Sequence, residues 1–137
     1  SPQILSIARD RLKDQILHFG FAPARADYAY WLQLADLLPV SSRQDFFGGS
    51  VVEAIYCNCY PLLPRRLAFP EHIPTAEQEE HLYVHDSELT DRLRSLLSRV
   101  DLIRNNPHYH NFVAHYDWRT LAPVYDDSMS LITTKSI

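Results

Sequence analysis

Apolar and polar positions alternate along this chain with two different periods. Ile4, Ile7, Ala8, Leu12 and Ile16 share one face at helical spacing, with charges opposite, and predict a helix over residues 4–16. Residues 16–20 then read as a short strand stopped by Gly20. A second helix is predicted over 24–35, with Tyr28, Trp31, Leu32 and Ala35 on one side. Residues 37–40 form an apolar run read as a strand, although Pro39 removes a ladder donor. A tight turn at 45–50 leads into a helix over about 51–58, then strands at 60–63 and 82–84. Asp86 or Ser87 is positioned to cap a helix lined by Leu89, Leu93, Leu96, Leu97 and Val100. The acidic stretch 74–80 reads as a solvated loop, residues 107–118 as one more helix, and the chain from Thr120 onward is weakly patterned.

Four strands alternating with helices predict an α/β fold with a Rossmann-like parallel sheet. Ligands bind such sheets outside the carboxyl ends of the strands, and the turn at 45–50 falls at such an end. The length, 137 residues, allows one domain with a sizeable core and not two. The chain opens on Ser1 and enters a helical pattern at once, so a first strand and an amino-terminal domain are expected upstream.

Composition narrows the classes of function. Apolar residues make up 46% and charged residues 22%, as in ordinary water-soluble domains. A net charge of −4 argues against holding nucleic acid by charge alone. Cys57 and Cys59 are too close for an unstrained disulfide and lack a second ligand pair for zinc, so reduced thiols in a cytoplasmic protein are expected. No apolar run reaches the roughly 20 residues of a membrane helix, so no membrane partner is expected. His108, His110 and His115 fit no zinc spacing, and no metal is expected there.

The chemistry concentrates in Asp45-Phe46-Phe47-Gly48-Gly49-Ser50-Val51-Val52-Glu53-Ala54. Two glycines let a ligand approach the backbone, and the helix that follows aims amide groups and a positive dipole end at it. A diphosphate suits such a place, and Asp45 and Glu53 on either side are natural acceptors for sugar hydroxyls. A bland reading stands beside this one. Ser50-x-x-Glu53 has the form of a capping box, and Asp45 that of a turn residue.

The stretch resembles the acidic-x7-acidic signature of retaining GT-B glycosyltransferases. That resemblance implies donor-sugar contacts from Asp45, Phe47 and Gly48. It implies nucleotide contacts from Gly49, Ser50, Val51, Glu53 and Arg66, and the carboxy-terminal half of a GT-B fold. His18-Phe19-Gly20-Phe21, Ala35-Asp36, Cys59-Tyr60-Pro61-Leu62-Leu63-Pro64, Arg66-Leu67 and Pro70-Glu71 appear in the order seen in the tRNA-queuosine mannosyltransferase family. The match covers roughly residues 4–74. It implies GDP-mannose as donor substrate, with no cofactor, and queuosine in tRNA as acceptor, held through an amino-terminal domain. The chain departs from that family where Gln44-Asp45 stands for His-Glu and Cys57-Asn58 for Ala-Gly. No catalytic residue is expected within this chain, which alone should transfer no sugar. Another donor with a small glycan acceptor, or a non-catalytic interaction module, are the alternatives. Arg65 and Arg66 fit either a phosphate contact or a solvated pair, and His18 reads as a packed strand-end residue.

Overall fold

The computed structural model describes residues 2–134. Helix α1 spans Pro2–Arg11 and α2 spans Arg25–Leu34. Strand β1 (Leu37–Pro39) leads through the loop 40–48 into α3 (Gly49–Tyr56) and then β2 (Tyr60–Pro64). Two 3-10 turns, at Phe69–His72 and Thr75–Glu77, precede α4 (Gln78–His81) and β3 (Leu82–Tyr83). Helices α5 (Glu88–Leu97), α6 (Val100–Arg104) and α7 (His110–Val113) follow, and after a 3-10 turn at Ala114–Tyr116, α8 runs over Trp118–Thr134.

The strands form a parallel sheet in the order β1-β2-β3, with Leu37 beside Tyr60 and Leu63 beside Leu82. This architecture is compatible with a Rossmann-like fragment. Its middle strand is buried at all five positions, as expected where both faces of a parallel sheet are covered. Two prolines in that strand are tolerated for a geometric reason. Tyr60 N–H and Leu62 C=O bond toward β1, whereas Arg65 N–H bonds Tyr83 of β3. Pro61 would therefore donate toward β3 before β3 begins, and Pro64 toward β1 after β1 has ended. Neither missing donor breaks the ladder. Pro39 sits on an edge strand, where proline is permitted.

The core joins this sheet to α3 through Val51, Ala54 and Ile55, and to the carboxyl half through Leu96, Ile103, Phe112 and Val113. Tyr83 is fully buried, and its hydroxyl donates to the Val40 carbonyl at 2.7 Å, which satisfies the one polar atom it takes out of water. Helix α3 ends in a Schellman motif. Cys59 N–H bonds Ala54 O and Asn58 N–H bonds Ile55 O, with Asn58 left-handed at φ 67°. Asn58 Oδ1 then accepts from the His110 amide and ties α7 to the cap. Asparagine tolerates the left-handed region nearly as glycine does, so the Gly-to-Asn departure in this stretch leaves the turn intact.

Four expectations are corrected. Residues 16–20 form no strand: Leu17 is 82% and Phe21 88% exposed, so the apolar run has nothing to pack on, and His18 closes a local turn onto Gly20 O. Residues 74–80 are not a plain loop but a 3-10 turn and α4, which bring His81 into the core. The weakly patterned tail is the long helix α8, and the helix expected over 107–118 is divided into α7 and a 3-10 turn. Among the described residues no helix is long and apolar enough to cross a membrane.

Candidate functional site

The β1–α3 crossover brings the loop 40–48 and the start of α3 to the carboxyl end of β1. Asp45 Oδ1 accepts the Gly48 amide at 2.8 Å, so this side chain closes the turn. Gly48 is the N-cap of α3 at φ 79°, a backbone conformation that a side chain would strain. A Cβ there would stand 3.2 Å from Phe69 Cε1 and 3.4 Å from His72 Nε2. Both of those side chains are fully buried and cannot step aside.

His72 is the pin that sequence reading missed. Its Nε2 lies 2.6 Å from Phe47 O, and since a carbonyl only accepts, that nitrogen carries the hydrogen. In the neutral ring Nδ1 then accepts the Tyr116 hydroxyl at 3.3 Å. Phe47 packs edge-on against both rings. The loop before α3 is thus held to the turn after β2 and to the segment before α8. The Pro70-Glu71-His72 stretch alone gives no sign of this, because the partners lie 25 and 44 residues away.

With Gly48 as N-cap, Ser50 is the second helical residue and Glu53 the fifth. The capping-box reading therefore fails, and so does the placement of Glu53 in the first turn, which holds no acidic residue. Val51 and Val52 N–H both bond Gly48 O, and the Val51 side chain is buried. The Val51 amide is thus bonded to the Gly48 carbonyl and its side chain packed in the core.

Glu53 is exposed and accepts the Tyr28 hydroxyl at 2.8 Å. Burial chiefly, and the Glu53 carboxylate next, push the Tyr28 phenol up to about 12. The two side chains line a cavity of about 470 Å³ with Arg25, Tyr56, Asp117 and Arg119 among its walls. Tyr56 donates to Asp117 across it at 3.1 Å. Asp45 lines a different cavity, about 780 Å³, with Arg43, Phe46, Leu67 and Glu71. Asp45 and Glu53 therefore line two cavities and not one. The reason is Glu53's place in the second turn of α3, which swings it toward α2, while Asp45 is tied back to the loop.

Arg66 is committed elsewhere. It reaches Ser42 O at 3.2 Å, Ser41 O at 3.4 Å and Asp86 Oδ1 at 3.0 Å, strapping the loop after β1 to the loop after β3. Arg43 shares the same Asp86, and the two guanidinium groups hold that carboxyl below its usual range, Arg66 first. Arg65 bonds Gln78 and Glu79. His18 stacks on Trp31, and His108, His110 and His115 each lie against an aromatic ring. Both cysteines are free.

The comparisons with known proteins bear on this geometry. The chain is 28% identical over 129 residues to a Drosophila melanogaster protein named tRNA-queuosine alpha-mannosyltransferase. The match takes in 92% of this chain and 33% of that protein, so the chain spans about a third of the relative's length. The relationship is distant. No protein-family model matches the chain, and no solved structure does.

Proposed function

We propose that this chain is the donor-binding domain of a retaining GT-B glycosyltransferase, taking mannose from GDP-mannose to queuosine in tRNA. The observation that carries the proposal is the pair of carboxylates around the start of α3, Asp45 in the loop before it and Glu53 in its second turn, each lining its own cavity. A nucleotide sugar has the matching form: a hydroxyl-bearing ring at each end and a diphosphate in the middle. The diphosphate would lie across the helix N-terminus, where amides and dipole favour an anion. Asp45, with Phe47 and Gly48 beside it, would take the sugar, and Glu53 the ribose. The name of the Drosophila relative supports both the transfer chemistry and the acceptor.

Three further assignments follow. Arg66 acts as a strap that holds the donor loops, because its bonds to Ser41, Ser42 and Asp86 occupy the fork that a phosphate would need. The transfer takes place in the cytoplasm, without cofactor or metal. The tRNA is held by parts of the polypeptide outside this chain, since a net charge of −4 offers no general attraction to phosphate backbones.

Isothermal titration with GDP, UDP and ADP tests the reading. Selective binding of GDP supports it. Preference for UDP or ADP moves the donor to another nucleotide sugar. No binding of any of the three at millimolar concentration removes the enzyme reading and leaves an interaction module.

A further inference from the structure

Tyr28 is contributed by α2, outside the signature stretch, yet its hydroxyl meets Glu53 Oε2 at 2.8 Å across the cavity between α2 and α3. An exposed glutamate on a helix surface has several rotamers of similar energy. One fixed donor removes most of that freedom. The hydroxyl bonds Oε2, and among the described residues no hydrogen bond reaches Oε1, which keeps its two lone pairs. Arg25 and Arg119 line the same cavity, and among the described residues neither forms a salt bridge. Glu53 is therefore oriented by a neutral phenol and not neutralised by a cation. A carboxylate accepts hydrogen bonds from a hydroxyl-bearing ligand more strongly than a neutral oxygen does.

The geometry points to Tyr28 as the positioning residue that makes Glu53 a reader of ribose, so that this domain discriminates ribonucleotides from deoxyribonucleotides through the Tyr28–Glu53 pair. The inference rests on the nucleotide-sugar reading above and adds to it a residue and a selectivity. Tyr28 touches no reacting atom. It acts by holding the carboxylate where adjacent ribose hydroxyls can both reach it. Without the phenol the carboxylate still exists and still carries its charge, but it must be ordered at the moment of binding, at the expense of affinity.

The test compares GDP with 2′-deoxy-GDP and 3′-deoxy-GDP by titration calorimetry on the wild-type chain and on Tyr28→Phe, Glu53→Gln and the double variant. The wild type should prefer GDP over each deoxy form by about tenfold or more, the worth of one charge-assisted hydrogen bond. Tyr28→Phe keeps the ring and should reduce that preference to about threefold or less while the melting temperature stays near the wild-type value. Adding Tyr28→Phe to Glu53→Gln should cost less than Tyr28→Phe costs the wild type, because Tyr28 acts only through Glu53. The two ways of failing separate. A wild type indifferent to the deoxy forms denies Glu53 its ribose contact and overturns both the site reading and this inference. A wild type that discriminates, with Tyr28→Phe discriminating equally well, overturns the inference alone. Should Tyr28→Phe melt well below the wild type, Tyr28→Leu supplies the donor-free comparison. A folded Leu variant that keeps the full preference contradicts the proposal.

Discussion

Gly48→Ala tests how tightly the turn before α3 is built. The substitution has two costs. Alanine at φ 79° is in the left-handed region, at about 1–2 kcal/mol. Its Cβ would also stand 3.2 Å from Phe69 Cε1 and 3.4 Å from His72 Nε2, both on fully buried side chains. Overpacking of that kind adds about 1–3 kcal/mol. The sum is about 2–5 kcal/mol, and a urea midpoint should fall by about 1–3 M for a domain of this size. Gly49→Ala is the internal control. Nothing lies within 4 Å of a Cβ there and the position is helical, so alanine should be neutral or stabilise by up to about 1 kcal/mol. The assay is equilibrium unfolding followed by circular dichroism and by tryptophan fluorescence on both variants. A Gly48→Ala midpoint within about 0.3 M of wild type would show that the turn gives way easily, and the fixed cradle would have to be abandoned.

Glu53→Gln should leave the melting temperature nearly unchanged, because the side chain is exposed and glutamine can still accept from Tyr28. GDP affinity should fall about ten- to a hundredfold, and an equal loss of stability and affinity would contradict the ligand role. His81 is buried, donates from Nδ1 to Pro61 O, and has a pKa lowered mainly by desolvation. A depressed folded pKa means the unfolded chain binds the proton first, so stability is full above about pH 6.5 and is lost as pH falls through the folded value. His81→Asn, with an amide near the Nδ1 position, should flatten that acid limb of the melting-temperature profile, and an unchanged slope would refute the assignment. The Cys59 thiol is pushed up to about 11, chiefly by burial, and Cys57 is raised as well. Both should alkylate slowly with iodoacetamide at pH 8, Cys59 more slowly than Cys57, and rapid labelling of Cys59 in the folded chain would show the core to be open.

What sequence reading recovered is what burial enforces locally. The strands at Leu37–Pro39, Tyr60–Pro64 and Leu82–Tyr83 and the positions Leu89, Leu93 and Leu96 of α5 are continuous or periodic because they pack on the core, whereas Leu97 is exposed and Val100 opens α6. The segment 16–20 failed because the same apolar signal there belongs to exposed side chains, and no pattern distinguishes an apolar run with a partner from one without. In the candidate site, the turn and its glycines were legible, since paired glycines ahead of a helical pattern mark a tight turn by residue type. The interactions that set the geometry were not. Tyr28 to Glu53, His72 to Phe47 and Arg66 to Asp86 all join residues 20 or more apart, and each needs the fold before it can be seen. The capping box was misread for a local reason. Gly48, being left-handed, takes the N-cap two residues before Ser50, which shifts Glu53 from the first turn to the second.

The claim that the start of α3 binds a nucleotide sugar is tested most directly by titrating the isotope-labelled chain with GDP-mannose and following backbone amide shifts. The account predicts saturable changes at Gly49 and Ser50, with further changes around Asp45 and Glu53 on the two sides of the turn. Shifts confined to other surfaces, or none at millimolar ligand, would contradict it.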